Sequence, residues 1–347
     1  MWRCSKLFLA IALTFVGAFA SVCAFPQIAG AAPASTKPSA ALPLRGRLLV
    51  NASGEYWVSW QNQELKLWQR SRQQVLKTLN FEAPLYQVEL SHNGQFLVAG
   101  LSDGSYHRWH FPAMTPAGTL RLTKTEQVQW PFAVSPDGVY LTRTLFQQRQ
   151  KQDIMRLEVW DWRTQRRVNR LWAHQQALVL PGHYPGSQLA FHPLGGYLAF
   201  ATEGGQLKIY DTQQHRWRYQ MPGSPPLSYD QAGDYFAFAL PGAQNDRISH
   251  VKLWHLPTNL LKTFAVKEMS ATDSALTLSE DGKYLAYTAR AEGAYRRLIV
   301  QRVRDARVVL TVRVPEEVDA LTLLPGEQTV LTSSLLRPDF QPERYAF

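Results

Sequence analysis

Seven times along this chain a short turn built on glycine leads into an apolar, strand-forming run. The copies read ASGEYWVSW from 52, SHNGQFLVAG from 91, SPDGVYLTRT from 135 and HPLGGYLAFA from 192. QAGDYFAFAL from 231, SEDGKYLAYT from 279 and LPGEQTVLTS from 324 complete the set. The marking glycines are Gly54, Gly94, Gly138, Gly195, Gly233, Gly282 and Gly326, separated by 40, 44, 57, 38, 49 and 44 residues. Self-similarity at such a period signals an array of supersecondary units, each too small to bury its own apolar surface.

Each copy carries more than a turn. An apolar strand precedes it, as in Val88-Glu89-Leu90, Leu189-Ala190-Phe191 and Ala275 to Leu278. A second strand follows the glycine, and a third ends in an aromatic: LKLW at 65, YHRW at 106, LEVWDW at 157, LKIYD at 207 and VKLWHL at 251. A fourth follows in most copies, such as Val75 to Leu79 or Val168 to Trp172. Four short antiparallel strands repeated seven times describe an all-β, seven-bladed β-propeller. Many of these strands are apolar on both faces, because each blade is sandwiched between neighbours. The 11 Trp, 14 Tyr, 16 Phe, 21 Gly and 21 Pro suit short strands joined by turns. The glycine-rich stretch from 189 to 211 belongs to this scheme. Gly195-Gly196 and Gly204-Gly205 are turns; a phosphate cradle needs its loop to open a helix, and no helical period follows. His192 stands where other copies have Ser91, Ser135 and Ser279.

With Ser-Pro-Asp-Gly at 135 to 138 and Trp160-Asp161, the repeats resemble the WD40 family over about residues 42 to 347. The Gly-His of that family occurs only at Gly182-His183 and its Trp-Asp only at 160 to 161. Exported TolB-like and lactonase-type propellers share the Ser-Pro-Asp-Gly style of turn. The WD40 resemblance implies a protein-interaction scaffold; the lactonase or quinoprotein alternative implies a small-molecule site at the central channel.

The first 31 residues read as an export signal. Arg3 and Lys6 precede the uncharged apolar run Leu7 to Ala20, and small-residue cleavage sites follow at Ala18-Phe19-Ala20, Val22-Cys23-Ala24 and Ala29-Gly30-Ala31. The apolar run falls short of the ~20 residues needed to span a bilayer. Cys23 raises a lipoprotein alternative, but Val22 stands where a small residue belongs. Residues 32 to 41 form a Pro/Ala/Ser linker, and no second hydrophobic span follows. Cys4 and Cys23 are the only cysteines, so cleavage after Ala24 or Ala31 leaves a thiol-free chain with neither disulfide nor thiolate chemistry. The expected location is periplasmic or secreted. Without Arg3 and Lys6, 35 basic residues face 27 acidic ones, a net charge of +8. For an exported protein this points to acidic or envelope-associated protein partners rather than nucleic acid.

Catalytic and metal patterns are absent from the sequence. His107 and His110, three apart on a strand, point to opposite faces, and His174 and His183 have no carboxylate pattern around them. There is no Cys-x-x-Cys-His and no Gly-x-Ser-x-Gly element. Of the quinone-cofactor repeat only Asp161 and Thr164 are present, Gln165 replacing its glycine. Neither a cofactor nor a catalytic residue is expected. Trp68, Trp109, Trp160 and Trp254 recur at one blade position and are expected in the core. Asn51-Ala52-Ser53 fits the glycosylation tripeptide, a weak signal by itself.

What rises above this background is length variation. Between second and third strands, three blades carry additions: QQRQKQD at 147, PGAQNDRIS at 241 and RAEGAYRR at 290. In an up-down meander these loops emerge on one face, as does the long connection from His174 to Ser187. They carry Arg149, Lys151, Arg247, Arg290, Arg296 and Arg297 against Asp153, Asp246 and Glu292, with Tyr184 and Tyr295 as aromatic anchors. Arg149, Lys151, Tyr184, Arg247, Tyr295, Arg296 and Arg297 are therefore the candidate partner-binding residues. Neutral loop drift is the competing explanation. For ring closure, Glu343 to Phe347 are expected as the third strand of the last blade, with residues 38 to 44 supplying its fourth.

Overall fold

The computed structural model describes residues 47–122, 132–149, 152–168, 188–201, 205–214, 216–241, 247–270, 275–291, 295–334 and 341–347. All regular elements among them are strands, arranged as seven antiparallel meanders. Blade 1 is β1 (Arg47–Val50), β2 (Tyr56–Gln61), β3 (Glu64–Gln69) and β4 (Gln74–Asn80). Blade 2 is β5 (Leu85–Leu90), β6 (Phe96–Leu101), β7 (Ser105–His110) and β8 (Thr115–Arg121). Blade 3 is β9 (Phe132–Val134), β10 (Tyr140–Arg149), β11 (Gln152–Asp161) and β12 (Arg166–Arg167). Blade 4 is β13 (Gln188–Phe191), β14 (Tyr197–Ala201), β15 (Gln206–Asp211) and β16 (Arg216–Pro222). Blade 5 is β17 (Ser224–Tyr229), β18 (Tyr235–Pro241), β19 (Arg247–His255) and β20 (Leu260–Ser270). Blade 6 is β21 (Leu276–Leu278), β22 (Tyr284–Arg290), β23 (Tyr295–Arg302) and β24 (Val308–Pro315). Blade 7 is β25 (Ala320–Leu323), β26 (Thr329–Ser333) and β27 (Glu343–Ala346). The expected third strand of the last blade is thus in place as β27. The proposed fourth, residues 38–44, lies outside the described residues, and so do the leader and linker. In blade 3 the fourth strand begins at Arg166, two residues earlier than read, and residues 169–172 are also outside.

The turns between first and second strands explain the repeat. In blades 2, 3 and 6 a serine hydroxyl donates to the Asn or Asp two residues on: Ser91 to Asn93, Ser135 to Asp137 and Ser279 to Asp281. That side chain then accepts the N–H after the glycine (Gln95, Val139, Lys283), while the serine oxygen accepts the first N–H of the next strand (Phe96, Tyr140, Tyr284). Six marking glycines hold φ between 65 and 78°, which L-residues adopt at a cost of roughly 1–2 kcal/mol. The seventh copy differs. Pro325-Gly326 selects a type II turn, closed by Glu327 N–H on the Leu324 carbonyl at 3.2 Å, so Gly326 takes its positive φ of 69° one place early. Glu327 fills the position of the other marking glycines. Gly326 therefore stands one residue before the position shared by the other six glycines.

Blades associate through a separate apolar cluster at every junction. Leu97 and Trp109 of blade 2 pack with Val58 and Leu67 of blade 1; Phe132 and Leu141 of blade 3 with Val98 and Tyr106 of blade 2. Similar clusters join blades 3 and 4, 4 and 5, 5 and 6, and 6 and 7. Leu48 and Trp57 of blade 1 meet Leu324 and Leu331 of blade 7, which closes the ring by packing. Trp109 and Trp254 are buried, and Trp68 and Trp160 pack against clusters, so these tryptophans are core. Polar clamps reinforce the junctions on the turn face. Arg108 donates to the Gly138 carbonyl of the next blade at 2.8 Å and lies between the rings of Phe96 and Trp162. His192 accepts the Leu194 N–H at Nδ1, leaving Nε2–H to donate to the Gly233 carbonyl at 2.9 Å. It is a structural histidine.

Candidate interaction face

A propeller meander sends the connections between second and third strands to the end opposite the glycine turns. The three additions read from sequence as loops are there mostly as strand. β10 and β11 are each 10 residues long and stay in register to Arg149↔Gln152, whereas β2, β3, β6 and β7 have 6 each. In blade 5 the addition lengthens β19 to 9 residues, and β20 grows to 11 to pair with it, ending at Arg247↔Ser270. In blade 6, β22 and β23 run out to Arg290↔Arg296, and β24 follows to Tyr295↔Pro315. Continued pairing satisfies the added backbone and turns an insertion into a standing hairpin.

The candidate residues separate into three groups. Tyr295, Arg296 and Arg297 lie together on β23. Arg149 closes the β10 hairpin and Arg247 opens β19; their backbone positions are described and their side chains are not. Lys151 and Tyr184 lie outside the described residues. Blade 4 separates Arg149 from blades 5 and 6, so the best-defined part of the face is a sector, not a full rim.

Strand alternation divides the blade 6 arginines between two sides. Arg290 and Arg296 are opposite one another, on the side of Ala286 and Leu298, which pack toward blade 7. Arg297 is opposite Ala289 and Arg313, on the side of Tyr287, which packs toward blade 5. Arg297 donates from Nη2 to the Arg290 carbonyl at 3.3 Å. Burial pushes the Tyr287 phenol up to about 12, and the Arg297 charge pulls the other way. Arg290, Arg296 and Arg297 all hold contacts within the chain. Tyr295 at the tip is 51% exposed. Arg313 is exposed and belongs to the same group. It escaped the sequence reading because it sits on the fourth strand, 16 residues after Arg297; only hairpin register brings the two together.

A small-molecule enzyme of this fold would carry its site in the central channel. Its wall is formed by the first strands, and several polar groups there are engaged in joining blades. Gln87 bonds the Phe132 N–H and carbonyl of the next blade, at 3.1 and 2.9 Å, and Ser228 accepts the Leu278 N–H at 3.1 Å. His107 is held by Ser105 and Thr119, and no group of three His, Cys, Asp or Glu side chains among the described residues could hold a metal ion. Among those residues no helix is long and apolar enough to cross a membrane.

No family model and no curated protein matches the sequence. Many solved chains match in structure. One is the β-propeller domain of Myceliophteria thermophila Cps50 (Swd1), with a TM-score of 0.62 at 13% identity over 87% of this chain and 97% of that one. At that identity the likeness establishes the fold, and the chain is a seven-bladed β-propeller.

Proposed function

We propose that this chain is a non-catalytic interaction scaffold, exported to the cell envelope, that docks an acidic protein partner on the face of the lengthened hairpins. The observation that carries this reading is the blade 6 hairpin, whose prolonged strands carry the exposed Tyr295 with Arg297 and Arg313 on one side and Arg290 with Arg296 on the other. Arginine and tyrosine are the side chains enriched where binding energy concentrates, and contact area on a rigid strand is gained with little ordering cost. The N-terminal pattern supports export, and N-terminal sequencing of the exported protein should give a start between Ser21 and Ala32. A chain starting at Met1, or one bearing lipid on Cys23, would overturn that part.

The docking part is tested by replacing Arg149, Lys151, Arg296 and Arg297 with Glu and comparing capture from envelope extract with the parent protein. The parent's capture should weaken as salt rises, since exposed charges are screened over roughly 8 Å at physiological ionic strength. The folded variant should lose the partners the parent retains. Equal capture by both proteins would move the search to the turn face or the channel.

A further inference from the structure

Aligned by their turns, the seven first strands place one residue each at the same level of the channel wall: Leu49, Glu89, Ala133, Ala190, Ser228, Thr277 and Thr322. Glu89 is the one ionisable member of this ring. Its neighbours in blades 1, 3 and 4 are apolar and, at Ala133 and Ala190, small. Hydroxyls line the opposite sector. Ser228 accepts from Leu278 N–H, and the Thr277 hydroxyl donates to the Leu278 carbonyl at 3.4 Å.

The geometry around Glu89 is determined by Gln87. Because the Phe132 N–H requires an acceptor, the Gln87 carbonyl oxygen must face blade 3, and the amide nitrogen is left to donate to Phe132 O and to Glu89 Oε1, the latter at 2.7 Å. That nitrogen is a fixed donor to one carboxylate oxygen. Oε2 has no hydrogen bond among the described residues, and the side chain keeps partial access to the channel. No Lys, Arg or His among those residues acts on Glu89 electrostatically; burial pushes its carboxyl up to about 7, opposed only by the Gln87 bond. Arg47, nearer the hairpin face, donates to the Tyr86 carbonyl and interacts with Asp319. Tyr86 donates its hydroxyl to Tyr106.

We propose that the axial channel is a binding site for a small organic ammonium ion, whose N–H groups bond Glu89 Oε2 and whose alkyl part rests on the partly exposed Leu49 and Ala190. A half-satisfied, largely buried carboxylate gains most from a compact cation that brings its own donors. A metal ion would require several oxygen ligands, and one carboxylate supplies too few. An anion is repelled. The site is independent of the hairpin face and of any docking there.

The full chain, labelled with glutamate carrying ¹³C at the carboxyl, provides the test, the Glu89 resonance being assigned by its loss in Glu89→Gln. Addition of n-butylammonium chloride should shift that resonance saturably and lower its titration midpoint by about one pH unit. Sodium chloride at equal ionic strength and n-butanol should do neither. Glu89→Gln, isosteric and neutral, should abolish the binding heat while still melting cooperatively, at or above the parent's temperature. Ala190→Met, which narrows the ring and leaves the carboxyl intact, should weaken binding by about tenfold, or ~1.4 kcal/mol. A sodium chloride shift equal to that of the amine, undiminished binding by Glu89→Gln, or an unmoved midpoint would overturn the proposal. Binding of a lysine-bearing peptide without binding of butylammonium would overturn it as well.

Discussion

On the turn face, six blades end in the same glycine geometry, and the junctions are tied by Arg108, by His192 and by the Asn93 and Gln231 N–H groups on the Pro136 and Glu280 carbonyls of the next blade. On the opposite face the three lengthened hairpins differ in length, in partner strand and in charge. The turn face is constrained by its neighbours: a Cβ on Gly138 would come within 2.3 Å of Phe96, and one on Gly282 within 2.4 Å of Tyr235. In blades 5 and 6 the buried Met269 and Val314 carry the blade-to-blade clusters close to the hairpin tips, and past them Tyr295 is exposed. One end ties neighbouring blades together through shared turn geometry, and the other carries the differences between blades.

The largest expected effect tests that constraint. Gly138→Ala combines a positive φ of 70° with a collision against Phe96 and should cost about 3 kcal/mol or more in denaturant unfolding. Gly94→Ala has the same strain, φ 67°, with nothing within 4 Å, and should cost about 1 kcal/mol. Equal losses would show that the turn, not the neighbouring blade, sets the constraint. Arg108→Leu removes the bonds to Gly138 and Ala117 and both ring contacts, and should cost about 2 kcal/mol in the same measurement. A neutral result would remove the clamp from the account of the turn face.

The channel lies between the two faces and responds to pH. The Glu89 carboxyl is raised from 4.5 to about 7 in the folded chain, so the folded state holds its proton more tightly than the unfolded one. Its contribution is undiminished below pH 4.5 and is lost as pH rises through about 7. Glu89→Gln should therefore gain roughly 1–3 kcal/mol over the parent at pH 8 and nothing at pH 4, read from unfolding curves at the two pH values. The smallest effect belongs to the hairpin face. Tyr295→Ser and Arg313→Glu should each change stability by less than about 0.5 kcal/mol. A loss as large as that of Arg108→Leu would mean that the hairpins support the ring and would erase the distinction between the faces.

Much of the fold was legible because its signals are local. The Ser-x-Asp-Gly turn closes its hydrogen bonds within six residues, so Ser135, Asp137 and Gly138 announce a turn wherever they stand together. The slip at Pro325-Gly326 was also written locally, in a dipeptide that favours another turn type. These turns number seven, one per blade, and the added length between second and third strands marks the three additions. The candidate site was legible only in part. Composition marked Tyr295, Arg296 and Arg297, whereas Arg313 joined them through strand register.

The sequence by itself determined the number of blades, their order and the end of each blade that carries extra chain, since each depends on residues a few positions apart. Tertiary structure alone decided that the additions continue as paired strands, that the blade 6 arginines divide between the sides facing blades 5 and 7, and that Glu89 enters a ring of seven channel residues. Those outcomes depend on pairing partners and neighbouring blades up to a whole ring away. Such distances leave no periodic trace in a single strand, and packing between blades resolves them.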